Sequence, residues 1–122
     1  MSHPTDPSFT TAVHGTTAGP IVQAAGELDL DAAPILDTAL HRALAADPSA
    51  DRLVIDLAGV TFCDSSGLGA LLRARIATEQ AGLTLHLARP AHAVAKVLEL
   101  TGAYRVFPVD RDGPALPYPH AV

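Results

Sequence analysis

Residues Leu53–Leu72 read LVIDLAGVTFCDSSGLGALL, and this stretch decides the fold. Leu53-Val54-Ile55-Asp56-Leu57 is a short apolar run rich in β-formers, which predicts a strand. Leu68, Leu71, Leu72 and Ile76 recur at helical spacing on what reads as one inward face. They predict a helix that starts near Ser65 or Ser66, runs to about Gln80 and stops at Gly82. Between strand and helix lies Asp64-Ser65-Ser66-Gly67. Serine is a favoured residue at a helix start, so one of the pair is explained by capping alone. Gly67 and Gly69 add something that capping does not need: they strip side chains from the first turn and let another protein approach the hydroxyl. The amides of that turn carry partial positive charge and suit an anion, including a phosphate attached to serine.

The same strand-then-helix rhythm extends in both directions. Phe9 to His14 predicts a first strand, Gly15 to Pro20 a turn, and Ile21 to Gly26 a second strand paired with the first as a hairpin. Asp31 is the expected N-cap of the next helix, with Pro34 in its first turn. Leu36, Leu40, Ala43 and Leu44 face inward there, Asp37, His41 and Arg42 outward, and Asp47-Pro48-Ser49 ends the helix. Leu83 to Leu87 predicts another strand. Arg89-Pro90 turns into a helix over Ala91 to Leu100, with Val94, Val97 and Leu98 inside and Gly102 at its end. Val106 to Val109 predicts a short last strand.

Alternation of strand and helix implies a single α/β domain over residues 9–109 with a mostly parallel sheet and an N-terminal hairpin strand. Gln23, Asp56, Thr84 and His86 interrupt the apolar strands on one side. Strands covered on both faces would read as continuous apolar runs, so the helices are expected mainly on the other face. Residues 1–8 are expected to form a loose tail. Residues 110–122, with Pro114, Pro117 and Pro119, are expected to be irregular.

Composition narrows the function. The 122 residues suit one domain, and 48% hydrophobic against 17% charged places the chain among globular proteins. Tryptophan is absent and only Phe9, Phe62, Phe107, Tyr104 and Tyr118 are aromatic, so there is no platform for stacking bases. A net charge of −5 with no basic stripe argues against nucleic acid and against anionic membrane. Cys63 is the single cysteine, which excludes an internal disulfide and a cysteine-based zinc site. The opening MSHPTDPSFT lacks a basic n-region and an apolar h-region, so a cytoplasmic protein without membrane insertion is expected.

Enzymatic readings find little material. The nucleophile-elbow pattern G-x-S-x-G is absent, and the six histidines are scattered along the chain. Gly67-x-Gly69 lacks the third small residue of a dinucleotide loop, since Leu72 stands there, and there is no Gly-Lys-Ser/Thr. A phospho-aspartate receiver would need paired acids after its first strand and a lysine after its last. The only lysine, Lys96, falls inside a helix. Asp29 and Asp31 read as carboxylates of a helix-initiating turn rather than as metal ligands, with no third hard ligand beside them. Cys63 reads as a small buried apolar residue, because Asp64 disfavours its thiolate. No enzyme activity, cofactor or metal is expected.

The chain resembles the STAS domain family, and most closely the free-standing bacterial anti-sigma factor antagonists. The resemblance covers about residues 9–109. It rests on Gly26-Glu27-Leu28-Asp29, on Leu53-Val54-Ile55-Asp56-Leu57, on Val60-Thr61-Phe62-Cys63-Asp64-Ser65-Ser66-Gly67-Leu68-Gly69, and on Leu98-Glu99-Leu100-Thr101-Gly102 followed by Arg105-Val106-Phe107. It implies a phosphoacceptor at Ser65, with Ser66 as the alternative, and a partner-binding surface of Asp29, Asp64, Ser65, Ser66, Gly67, Leu68 and Gly69. The implied partners are an ATP-dependent serine kinase that doubles as the anti-sigma factor, and a serine phosphatase that resets the switch. The alternative within the family is a non-phosphorylated STAS subunit of a lipid-transport complex or a sensory scaffold. The family's usual C-terminal helix is not expected here, because Pro108-Val109-Asp110-Arg111-Asp112-Gly113-Pro114 follows the last strand.

Overall fold

A hairpin begins the sheet. Strand β1 (Phe9–Thr16) pairs antiparallel with β2 (Gly19–Leu28), from Phe9 opposite Gly26 to Thr16 opposite Gly19. The structure, a computed structural model, describes residues 8–112. Strand β3 (Arg52–Cys63) adds parallel to β2, β4 (Thr84–Ala88) parallel to β3, and β5 (Val109–Asp110) parallel to β4. The sheet therefore runs in the order β1-β2-β3-β4-β5. Between the parallel strands come three helices: α1 (Ala33–Ala46), α2 (Ser65–Gln80) and α3 (His92–Thr101).

One aliphatic core joins the helices to one face of the sheet. Leu53, Ile55 and Leu57 of β3 and Leu85 and Leu87 of β4 meet Leu36, Leu40 and Ala43 of α1, Leu71 of α2, and Val94 and Leu98 of α3. The alternate strand residues point the other way. Gln23 and His86 are half-buried and Thr84 is exposed there, as the sequence predicts. That face also holds a small buried cluster of Ile21, Val54 and Ala88. Asp56 lies among these residues, 2% exposed, and Arg89 answers it with Nε on Oδ1 at 3.3 Å and Nη2 on Oδ2.

Several expectations are corrected. Strand β3 does not end at Leu57 but continues to Cys63. Its register against β2 slips twice, between Gln23 and Ala25 and between Gly26 and Glu27. Each slip inserts an extra β3 residue and breaks the period-two alternation on which the shorter prediction rested. The inner face of α2 is not Leu68, Leu71, Leu72 and Ile76. Gly67, Ala70, Leu71, Ala74 and Thr78 are buried instead, and Leu68 is half-buried against the core. Small residues let α2 lie close to its neighbours and turn Leu72 and Ile76 outward.

Asp31 is not the N-cap of α1. A short 3₁₀ turn, Leu30–Ala32, precedes that helix, and Asp29 caps it. The last strand is displaced from Val106–Val109 to Val109–Asp110. A 3₁₀ turn, Ala103–Arg105, comes first, and Phe107 then plugs the core at 4% exposure. Ser8 is not loose, since its carbonyl accepts from the Glu27 amide at 2.7 Å. The other tail expectations, for 1–7 and 113–122, lie outside the described residues, as does the segment where a C-terminal helix would follow.

Candidate functional site

Strands β2 and β3 end in register, with Leu28 opposite Cys63. The next residue on each is an aspartate. Asp29 and Asp64 share nearly one extended backbone conformation, φ −127° and −121°, and each caps the helical turn that follows. Asp29 Oδ1 accepts from the amides of Asp31 and Ala32, both at 3.1 Å. Asp64 Oδ1 accepts from the Gly67 amide at 3.0 Å, and its carbonyl takes the Leu68 amide at 3.0 Å. The two capped turns thus both leave the carboxyl edge of the parallel sheet, where open α/β folds place their functional groups.

Neither serine caps α2. Asp64 is the cap, so neither serine is needed for that task. Ser65 is the first helical residue and is exposed; Ser66, one position further in, is half-buried. The two glycines separate in the same way. A β-carbon on Gly67 would lie 2.2 Å from the Leu28 carbonyl oxygen, so Gly67 is required for α2 to abut the end of β2. A β-carbon on Gly69 would meet only Arg73 Nη1, at 3.3 Å. Gly67 is buried by packing, whereas Leu68 and Gly69 are half-buried beside the serines.

Cys63 packs partly buried against the core, and its Sγ donates to the Asp64 carbonyl at 3.6 Å. Burial pushes its thiol up to about 11, and the Asp64 carboxylate adds to the rise. Its proton is therefore held at neutral pH, which disfavours the thiolate. No group of three or more His, Cys, Asp or Glu side chains able to hold a metal occurs among the described residues. No helix among the described residues is long and apolar enough to cross a membrane.

The structure also reveals apolar surface that sequence reasoning placed in the core or passed over. Leu30, next to Asp29, is 71% exposed, and Phe62, just before Cys63, is 46% exposed. Leu72 and Ile76 are 36% and 52% exposed. At about 100° per residue, Ser65, Gly69, Leu72 and Ile76 fall within roughly 60° of one another on α2. One face of that helix therefore carries the exposed serine hydroxyl followed by an apolar stripe. The second register slip of β3, which ends the alternation just before Phe62, is the local reason its ring is not in the core.

Comparison with known proteins agrees with this fold. The family described as Mlab, STAS domain, matches residues 11–108. An anti-sigma factor antagonist from Mycobacterium paratuberculosis is 29% identical, with a TM-score of 0.72 over 90% of each chain. The antagonist SpoIIAA in its unphosphorylated form is 21% identical, with a TM-score of 0.60 over 82% of this chain and 87% of that one. The phosphorylated form of the Bacillus protein is 20% identical, with a TM-score of 0.60 over 82% of this chain and 90% of that one. No curated protein matches the chain. With a family match spanning β2 to β4, the three helices and the capped Asp-Ser-Ser-Gly turn, the chain belongs to the STAS domain family.

Proposed function

We propose that this protein is an anti-sigma factor antagonist that works by partner switching. In the unphosphorylated form it binds a serine kinase that is also the anti-sigma factor, and so releases the sigma factor. Phosphorylation of Ser65 by that kinase, using ATP, blocks the binding, and a serine phosphatase restores it. The protein itself is not an enzyme, acts in the cytoplasm and engages neither nucleic acid nor membrane. The single observation that carries this reading is the exposed Ser65 hydroxyl directly after the Asp64 cap, in line with an apolar helix face. The 29% identity to a named antagonist over 90% of the chain supports it.

The physics of the site fits a switch. Phosphate on Ser65 brings nearly two negative charges beside the Asp64 carboxylate. The first turn of α2 tolerates an anion, so the fold need not change. SpoIIAA resembles this chain with the same TM-score, 0.60, in its phosphorylated and unphosphorylated forms, which is consistent with one fold serving both. What changes is the surface offered to the partner. An apolar, glycine-flanked contact becomes a dianion that must be desolvated. A penalty of only ~3 kcal/mol weakens binding about a hundredfold.

Titration calorimetry of the cognate kinase, with nucleotide present, tests the reading. Ser65→Ala is expected to bind like the wild type, because Asp64 and not Ser65 caps the helix. Ser65→Glu is expected to bind at least about tenfold more weakly, a loss of ~1.4 kcal/mol, with an unchanged melting temperature. Equal affinity of Ser65→Glu and wild type would refute the charge block. Under the alternative, a non-phosphorylated subunit of a transport or sensory assembly, the kinase would bind none of the three.

A further inference from the structure

Gly69 is unexplained by the fold. It sits inside α2, where glycine costs about 1 kcal/mol relative to alanine. It has no left-handed backbone, and a β-carbon there would touch no other side chain than Arg73, whose Nη1 lies 3.3 Å away. Gly67, two residues earlier, shows what a packing requirement looks like, with a backbone oxygen at 2.2 Å from the same construction. What Gly69 does accommodate is the guanidinium of Arg73. That side chain runs back along the helix by one turn, in the direction helical side chains favour. Its head rests over position 69. Arg73 is exposed and belongs to none of the ion pairs among the described residues, which join Asp37 to His41, Arg75 to Glu79 and Asp56 to Arg89.

Ser65 lies one further turn back on the same side of α2. The remaining rise is about 6 Å. A phosphoserine spans part of it with its ester and three acceptor oxygens, and a charge-assisted hydrogen bond of about 2.8 Å spans the rest. The planar guanidinium matches phosphate in a two-point contact that lysine cannot reproduce. We propose that Arg73 is an intramolecular clamp for phosphate on Ser65, and that Gly69 is glycine in order to leave its path open. The clamp rests on the reading of Ser65 as phosphoacceptor. It gives the phosphorylated state a defined surface: the phosphate is drawn down over Gly69, toward the apolar stripe of Leu72 and Ile76 that the partner would otherwise meet.

The test needs no kinase. Phosphoserine is installed at position 65 during translation, and its phosphorus NMR signal is titrated with pH. Its second ionisation ordinarily lies near 6. A contacting cation favours the dianion, so the parent is expected to titrate at least about 0.5 unit below the Arg73→Gln variant. Arg73→Lys should recover part of the shift, and Gly69→Ala should lose part of it. Arg75→Gln removes the same charge from another face of α2 and should leave the titration unchanged. Identical titrations for the parent and Arg73→Gln, or an equal effect from Arg75→Gln, would overturn the clamp. Failure of the cognate kinase to phosphorylate Ser65 is a separate result: it would defeat the functional reading and leave the NMR comparison intact.

Discussion

Asp56 shows how one residue can be placed correctly by sequence and still be half understood. Its position in an alternating strand predicts the face away from the helices, and it lies there. Burial of a carboxylate demands a charged or hydrogen-bonding partner. That partner, Arg89, is 33 residues away and reads in the sequence only as a turn before Pro90. Arg89 holds φ at 47°, a left-handed conformation unusual for a side chain of its size, while its amide donates to the Asp110 carbonyl at 2.7 Å. The pair therefore ties β3 to the β4 end and to β5. Arg89→Ala keeps the unfavourable backbone and takes the guanidinium from a buried carboxylate. We expect a loss of about 2–4 kcal/mol in urea denaturation. A loss below about 0.5 kcal/mol would show that the pair is only a surface contact.

Cys63 gives a pH prediction at the same scale. Burial, and then the Asp64 carboxylate, push its thiol up to about 11 in the fold from an ordinary value of 9.0. The folded chain therefore holds this proton more tightly than the unfolded chain. The resulting stability is fully present below pH 9 and is lost as pH rises from about 9 to about 11. Alkylation by iodoacetamide at pH 8.5 is expected to be much slower in the native protein than in urea. Equal rates in the two states would contradict the burial argument.

At the scale of elements, α2 departs most from its sequence reading. The period of its apolar residues is readable, but two interleaved stripes share that period. One stripe is large, with Leu68, Leu72 and Ile76; the other is small, with Gly67, Ala70 and Ala74. Residue size favours the first as core, and close packing buries the second. Nothing in the local sequence reveals how closely α2 approaches the sheet, because that depends on the Leu28 carbonyl. The glycines inherit opposite expectations. Gly67→Ala forces its β-carbon into backbone and should destabilise the fold by about 1–3 kcal/mol. Gly69→Ala should raise stability by up to about 1 kcal/mol. Thermal melts of both variants check this, and similar effects from the two would deny the distinction. Leu72→Glu and Ile76→Glu should melt like the wild type yet bind the kinase at least about tenfold more weakly, ~1.4 kcal/mol. Unchanged affinity would move the partner surface off this face. The length of β3 was hidden for a related reason: two slips against β2 interrupt alternation, and they depend on pairing rather than on local composition.

For the whole molecule, the alternation of strand and helix and the polar residues on one strand face are enough to give the mixed sheet and its one helical side. The Asp-Ser-Ser-Gly turn was equally readable as a junction, because it stands between a strand and a helix. What could not be read is that the strands preceding the two aspartates end in register, with Leu28 opposite Cys63. That register brings both capped turns to one edge of the sheet, where the proposed switch is located. The most direct measurement incubates the intact protein with its cognate kinase and ATP, maps the phosphate by peptide sequencing, and follows the complex by co-purification. The account predicts an alkali-resistant phosphate on Ser65 alone, its appearance accompanied by loss of the complex. Phosphate on Ser66 or on an aspartate, or a complex that persists after Ser65 is fully phosphorylated, would contradict it.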